Sequence, residues 1–231
     1  MINMCEPQKS EMSPVETSEQ FEANLAAVTS KFDEDVDRYI AGIPPEGGIY
    51  RLGNPGRILL SAGIKDLPIE LSSIRLSRKA SDGYRNNHPF NIAEVKGLPV
   101  AINRPIAVFN NVNGGDGKVI LTELKHNGSN FVVAIRVRKG DDSRKIGVEA
   151  NSIRSIFPKD QVQGIIGWLN SKNNLLVWVD KEKARTFIST QSPNQIAGGN
   201  KGGAVSTAIK KIESFQNPPL SKYTQKISES Q

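Results

Sequence analysis

Cysteine is almost absent from this sequence: the 231 residues include one, Cys5. A single cysteine excludes an intrachain disulfide, so a reducing cytoplasm is the simplest expectation for the compartment. Histidine is nearly as rare, with two residues. No spacing of histidine, cysteine and carboxylate residues is typical of a zinc site or of an acidic calcium loop. We therefore expect neither a metal site nor any other cofactor.

Long apolar segments are also missing. No run approaches the roughly 18 to 20 residues that a bilayer-spanning helix needs. The N-terminal residues lack the basic and apolar layout of a signal peptide. We therefore expect no membrane partner. The hydrophobic fraction of 37% still suffices for a core, and the length fits one domain with appendages or two small domains.

The net charge of +6 is distributed unevenly. Residues 1–46 carry three basic and ten acidic side chains, whereas the rest of the chain carries 27 basic and 14 acidic ones, a local charge of +13. A positive body favours encounter with a polyanion such as nucleic acid through its summed field and through counterion release. Such charge can also serve solubility alone. The acidic N-terminal region can either screen the body or remain solvated.

Patterns along the chain predict four regions. Residues 1–16 have a composition typical of disorder, with little to bury. Apolar residues at three- and four-residue steps predict an N-terminal helix within 17–46. The main domain is expected over 47–189. Residues 190–231 have the composition of a flexible linker and tail, with one short amphipathic piece around Val205–Phe215.

Within the main domain, branched residues predict strands over 105–109, 118–124, 130–137, 147–156 and 175–179. Short helices are predicted near 52–64, 72–79, 91–97 and 161–170 from their caps and apolar spacing. The third strand is apolar on one face and increasingly basic on the other, which includes Arg136, as in an antiparallel sheet with one working surface. The expected fold class is α+β, with N-terminal helices packed on a curved antiparallel sheet of about four strands.

The stretch NSIRSIFPK at 151–159 places Arg154, Ser155 and Lys159 around a strand that ends at Pro158. Serine hydroxyls offer hydrogen bonds and the two cations offer fixed charge, a combination suited to gripping phosphate. A buried strand has little other use for arginine and lysine, which are almost never fully buried unless they are paired. The alternative is that both cations lie on the solvated face of an ordinary strand.

The histidines differ in their surroundings. His88 lies in the polar segment KASDGYRNNHPF (79–90), together with Lys79 and Arg85. An unperturbed imidazole titrates near neutrality, which suits proton transfer. The alternative is a histidine that caps the helix beginning at Asn91 or bonds within the loop. His126 precedes an Asn-Gly hairpin turn, where we expect it to be exposed.

These side chains form a metal-free set that could cleave RNA. One group removes the proton of the 2′-hydroxyl, another protonates the leaving oxygen, and cations stabilise the charge on phosphorus. The candidate catalytic residues are His88, Arg154, Ser155 and Lys159. The candidate substrate-binding residues are Lys79, Arg85 and Arg136.

A longer pattern runs from about Leu52 to Ile188, with the blocks LGNPGRILLSAGIKDLPIELSSIRLSRK, HPF, LPVAINRPIAVF, VILTELKHNGSNFVVAIRV, NSIRSIFPK and WLNSKNNLLVWVDKEKA in that order. It resembles the MuF C-terminal domain-like family of barnase/EndoU/RelE-like (BECR) modules, found in phage head-associated proteins and in polyvalent proteins of phages and conjugative elements. The resemblance implies a helical N-terminal part packed on a four-stranded antiparallel sheet. It also implies a metal-independent ribonuclease that acts in the host cytoplasm, delivered with the virion or expressed from the mobile element.

By motif, the resemblance carries family positions onto His88, Lys79, Arg154, Ser155 and Lys159. Phe157 stands where many relatives carry tyrosine, so a hydroxyl that could serve protonation is replaced by a hydrogen. The expected function is therefore an endoribonuclease or toxin-like effector, with RNA and either an immunity protein or neighbouring polyvalent domains as partners. The alternative is a non-catalytic nucleic-acid-binding or protein-interaction module of a larger polyvalent protein.

Overall fold

The structure is a computed structural model that describes residues 17–81, 89–111, 114–138, 149–159, 162–191 and 199–220. Within these ranges the chain forms a mixed α+β fold around an open sheet of seven strands. The α+β class predicted from the sequence is confirmed. The predicted strand number is wrong, because seven strands are present where about four were expected. The sheet is also not purely antiparallel.

The strands are β1 (Ile49–Arg51), β2 (Ile69–Ser72), β3 (Ala107–Asn110), β4 (Lys118–His126), β5 (Ser129–Arg138), β6 (Ala150–Pro158) and β7 (Leu176–Val179). Their order in the sheet is β1-β2-β6-β5-β4-β3-β7. β2 runs parallel to β6, and all other neighbours are antiparallel. β1 and β2 were missed because each contains only two apolar residues, whereas the equally short β3 and β7 are nearly continuous apolar runs.

The described helices are α1 (Ser18–Ile40), α2 (Arg57–Ser61), α3 (Ser73–Ala80), α4 (Leu98–Asn103), α5 (Val162–Asn170), α6 (Lys181–Gln191) and α7 (Gly199–Ser214). Two 3₁₀ segments cover Glu46–Gly48 and Ile92–Val95. None of the described helices combines the length and hydropathy needed to cross a bilayer.

Helix α1 begins with a capping box, in which Thr17 accepts from the Gln20 amide and Gln20 accepts from the Thr17 amide. Its acidic side chains hold it to the body. Asp33 accepts a hydrogen bond from the Gly97 amide at 2.7 Å, Glu22 pairs with Arg104, and Asp37 pairs with Lys96. Three acidic side chains of the N-terminal region, Asp33, Glu22 and Asp37, therefore contact the basic part of the chain beyond residue 46.

The sheet separates two apolar cores. The first includes Phe32 and Val36 of α1 together with Phe131, Val133 and Ile135 of β5. The second lies on the opposite face, where α5, α6 and α7 pack on the alternate β5 residues and on β3, β4 and β7. Helices therefore cover part of both faces of the sheet.

The chain beyond residue 189, where composition predicted a linker and tail, includes α7 among its described residues. Val205, Ala208 and Ile212 of this helix are buried in the second core. Beyond it, the side-chain amide of Asn217 accepts from the Val179 amide at 2.8 Å and donates to the Val179 carbonyl at 2.7 Å. This pairing imitates a neighbouring strand and protects the edge of β7.

Candidate functional site

A pocket forms where β2 leaves β6. β2 pairs with β6 only at Asn151 and Ser152, and the chain then turns into α3 directly after Ser72. Beyond this point α3 packs against β6 in place of a neighbouring strand. The resulting pocket has a volume of about 500 Å³ and is lined by Ser72, Ile74, Arg75, Arg78, Lys79, Arg154 and Ser155.

Arg154 reaches the pocket from a β-bulge. Ser155 pairs with Ala134 and Ile153 pairs with Ile135, so Arg154 is an extra residue without a partner on β5. Strand alternation would place Ile153 and Ile156 on opposite faces. Both are nevertheless fully buried in the first core, because the bulge changes the alternation between them. The bulge thus brings Arg154 to the sheet edge, where it is exposed.

Arg75 connects the helix to this bulge. Its Nη1 donates a hydrogen bond to the Arg154 carbonyl oxygen at 2.9 Å. A carbonyl at the edge of a sheet lacks the strand partner that would normally satisfy it. The guanidinium of α3 supplies that donor and so fixes the helix against the part of β6 that carries Arg154.

The burial pattern of α3 determines which side chains face the pocket. Ser73 and Leu76 are buried, and the Ser73 hydroxyl donates to the Gly48 carbonyl at 3.1 Å. Ile74 and Arg78 are four residues apart, so they share the exposed face. In the described part of the chain, neither the Arg78 nor the Arg154 guanidinium has a hydrogen-bond or ion-pair partner.

Three of the residues predicted from the sequence meet in this pocket: Lys79, Arg154 and Ser155. They come from positions about 75 residues apart, so the meeting depends on the β2–β6 pairing. Sequence reasoning missed Arg75 and Arg78. Their signal was present in the block LSSIRLSRK, because cations at 75, 78 and 79 recur at helical spacing.

Two predicted cations lie elsewhere. The Lys159 ammonium lies 5.4 Å from the centre of the Trp168 ring on α5, over Gly164, where a Cβ would come within 2.8 Å of the lysine Cε. Lys159 follows Ser155 by four residues, roughly 13 Å along a strand. Arg136 pairs with Asp116 at 3.0 Å between Nε and Oδ1. Lys159 and Arg136 are therefore not among the described residues that line the pocket.

His88 and Arg85 lie outside the described residues. The chain on either side of them is described, and the Phe90 amide donates to the Ala80 carbonyl at 3.3 Å. Phe90 is buried, with its ring centre 5.0 Å from that of Phe131. The ends of this segment therefore lie next to Lys79.

The other histidine has a structural position that differs from the one predicted. The His126 side chain is only 21% exposed, and its Nδ1 lies 2.7 Å from Glu94 Oε2. The Asn127 amide group lies 3.0 Å from its Nε2. Glu94 also accepts from the Asn91 amide. His126 thus fastens the β4–β5 hairpin to the segment Ile92–Val95.

Two titratable groups whose pKa is shifted by burial, the buried Tyr50 and the partly buried Lys118, lie away from the pocket. Burial raises the pKa of Tyr50 above its ordinary range, and Tyr39 and Asp35 add to this increase. Burial lowers the pKa of Lys118, whose ammonium donates to Asn110 Oδ1 at 2.6 Å. Among the described residues, no three histidine, cysteine or acidic side chains lie together so as to hold a metal ion.

A second pocket, of about 510 Å³, lies between β4 and α6. Acidic and basic side chains both line it. Lys183 donates to Glu123 and to the Arg104 carbonyl, and Asp180 accepts from the Lys183 amide at the start of α6. Lys183 and Glu123, two of its five charged side chains, therefore compensate each other within the chain.

The fold and the first pocket define an α+β module with a cationic pocket at a sheet edge. Residues 79–186, slightly less than half of the chain, match the family model of the phage MuF C-terminal domain. This similarity indicates a phage-associated module, and the matched region includes Lys79, Arg154 and Ser155. Searches of curated proteins and of solved structures each found no match.

Proposed function

We propose that this chain is a phage-associated module that binds RNA and cleaves it without a metal ion. One observation carries the proposal: cations and hydroxyls of α3 and β6 meet in one pocket, although the chain positions are about 75 residues apart. Two of these cations, Arg78 and Arg154, have no partner within the described chain.

The pocket has the chemistry that a phosphodiester requires. Guanidinium groups bind phosphate oxygens through paired, charge-assisted hydrogen bonds. Lys79 adds a point charge, and Ser155 adds a hydroxyl donor. None of the described residues that line the pocket is acidic. Its volume falls in the range of small-ligand sites, which suffices for a nucleotide.

RNA would supply the nucleophile for the reaction. A base takes the 2′-hydroxyl proton, the O2′ oxygen attacks phosphorus, and the bond from phosphorus to the 5′-oxygen breaks as that oxygen takes up a proton. Arg154 and Lys79 would stabilise the additional negative charge on the phosphoryl oxygens. We assign the proton transfer to His88, because the segment that carries it begins and ends beside Lys79.

The remaining cations are assigned to flanking nucleotides. Lys159 lies too far along β6 to share the phosphate held by Arg154 and Ser155, so we assign it to a phosphate farther along the RNA. Arg136 and Arg85 would contact further phosphates of the same RNA. The four antiparallel strands β3 to β6 would form the BECR-like sheet, with α3 beside it. The activity would act on RNA in a host cytoplasm, held in check by an immunity protein or by neighbouring domains.

A second candidate function is RNA binding without cleavage. The described pocket residues that carry hydrogen-bonding groups are arginines, a lysine and serines, none of which ordinarily titrates near neutrality. Without His88 the pocket would hold phosphate but would lack a general base. Phe157 also favours binding without cleavage, because it packs against the second core and has no hydroxyl that could donate a proton.

The test uses labelled single-stranded RNA in the presence of EDTA. The proposal predicts cleavage products that end in a cyclic phosphate. His88→Ala should abolish cleavage and leave affinity for 2′-O-methyl RNA nearly unchanged, whereas Arg154→Met should reduce both. His126→Ala is the matched control, because it removes the histidine that pairs with Glu94. Binding without any product would favour the second candidate, and the absence of both would refute the proposal.

A further inference from the structure

Ile74 is the most exposed large hydrophobic side chain in the described part of the molecule, at 61%. Single exposed apolar side chains are common on protein surfaces and by themselves indicate nothing. Ile74 differs from the others, Ile40, Ile43 and Leu220, because it lines the cationic pocket.

The helix fixes Ile74 in this position. Its neighbours Ser73 and Leu76 are buried against the body, so Ile74 is held on the opposite, solvent-facing side of α3. Arg78 is one turn farther along and lies on the same face. The pocket therefore has an aliphatic surface directly beside a guanidinium that has no partner in the described chain.

An aliphatic wall contributes nothing to holding a bare anion. A nucleotide, in contrast, joins a phosphate to a base whose faces are apolar and lose contact with water when they are covered. In a duplex, pairing and stacking cover those faces. A side chain at the duplex surface therefore meets the phosphate backbone and not a base face. The combination of cations and an exposed isoleucine thus fits a nucleotide whose base is unstacked.

We propose that Ile74 contacts a base and makes this pocket selective for single-stranded RNA over duplex RNA and over other polyanions. This inference rests on the proposed function, because it takes the pocket as the RNA site. It adds the form of the substrate and assigns the discrimination to one side chain that carries neither charge nor a polar group.

The experiment compares three probes of equal length: a 2′-O-methyl uridine oligomer, its abasic sugar-phosphate analogue, and a 2′-O-methyl duplex. The 2′-O-methyl group blocks the nucleophile, so binding is measured without cleavage. The wild-type protein should bind the uridine oligomer about fivefold more tightly than the abasic oligomer, on the scale of burying part of an isoleucine side chain. The duplex should bind no more tightly than the abasic oligomer.

Ile74→Ser should bring the ratio of uridine to abasic affinity close to one and leave the abasic affinity unchanged. Ile40→Ser is the matched control, since it makes the same change at an isoleucine that is 54% exposed on α1. A ratio that survives in Ile74→Ser, or a duplex that binds as tightly as the uridine oligomer, would overturn the inference and leave the RNA site intact. Failure of the wild-type protein to bind any probe would instead overturn the proposed function itself.

Discussion

The two pockets described above have nearly the same volume, about 500 and 510 Å³, but they differ in the charges of the side chains that line them. The described lining of the α3–β6 pocket is basic and hydroxylic, and Arg78 and Arg154 have no partner in the described chain. The β4–α6 pocket mixes acidic with basic side chains, and Lys183 is held by Glu123.

The two pockets therefore differ in how their charged side chains are paired within the described chain, and not in volume. The region beyond residue 46 carries a net charge of +13, but many of its cations are already used. Arg104 and Lys96 hold α1, Arg136 holds Asp116, and Lys183 holds Glu123. Arg78 and Arg154, in contrast, keep guanidinium groups without a partner in the described chain, and both line one pocket.

The sharpest way to break this comparison is Arg154→Met. Losing one charge-assisted phosphate contact should weaken binding of 2′-O-methyl RNA by about tenfold or more. The slope of log affinity against log salt should fall by about 0.7, because one fewer counterion contact is released. Affinity is measured by fluorescence anisotropy across a salt series.

The matched control is Lys125→Met, which removes the same charge from the lining of the second pocket. It should leave the salt slope nearly unchanged. Equal effects of the two substitutions would mean that RNA responds only to the overall charge of the molecule, and the distinction between the pockets would be lost.

Arg75→Lys tests whether the hydrogen bond to the bulge sets the geometry of the pocket. The substitution keeps the charge but cannot reproduce the reach and planar fork of a guanidinium. RNA affinity should fall about threefold to fivefold, in line with one lost hydrogen bond. The backbone amide resonance of Ser155 should also shift, because that amide belongs to the peptide group whose carbonyl accepts the bond.

Arg78→Lys provides the comparison for this prediction, since Arg78 lines the same pocket without contacting the bulge. It should leave the Ser155 resonance in place. An unshifted Ser155 resonance in Arg75→Lys would show that the bulge holds its conformation without Arg75.

These residues also show what the sequence could and could not predict. Arg154 and Ser155 were identifiable because charged and hydroxyl groups beside a buried strand call for an explanation. Lys79 was identifiable from the polar segment that holds His88 and from the family resemblance. Arg75, Arg78 and Lys79 share α3, and they reach β6 through the parallel pairing of β2 with β6, a contact between distant parts of the chain. β2 itself contains only two apolar residues, so no local pattern predicted it.

The sequence did not predict the β-bulge at Arg154 either. A regular alternation groups Arg154 with Ile156, but the structure buries Ile156 with Ile153 and leaves Arg154 exposed. Proximity in the sequence predicts that Lys159 shares a site with Ser155. The length of the strand and the space over Gly164 instead place it against Trp168. The class of fold followed from the composition of its segments, whereas the site depended on non-local pairing.

Lys159→Met asks whether the positive surface continues beyond the pocket. If Lys159 contacts a more distant phosphate, affinity for a long oligomer should fall about threefold, as expected for one exposed lysine-phosphate contact. Affinity for a dinucleotide that fills only the α3–β6 pocket should stay the same. Both are measured by competition against one labelled oligomer. A loss that is equal for both ligands would place the Lys159 ammonium at the pocket itself.

The smallest effect is expected for Lys183→Met in the compensated pocket. Lys183 loses its contacts with Glu123 and with the Arg104 carbonyl, but both charged side chains are partly exposed. Removing such a pair should lower the free energy of unfolding by about 1 kcal/mol or less, measured by urea denaturation. RNA affinity should remain within the change expected from one unit of overall charge, as in Lys125→Met. A loss of affinity as large as that of Arg154→Met would make the β4–α6 pocket part of the RNA site, since it would show that pairing with Glu123 does not withhold a cation from a ligand.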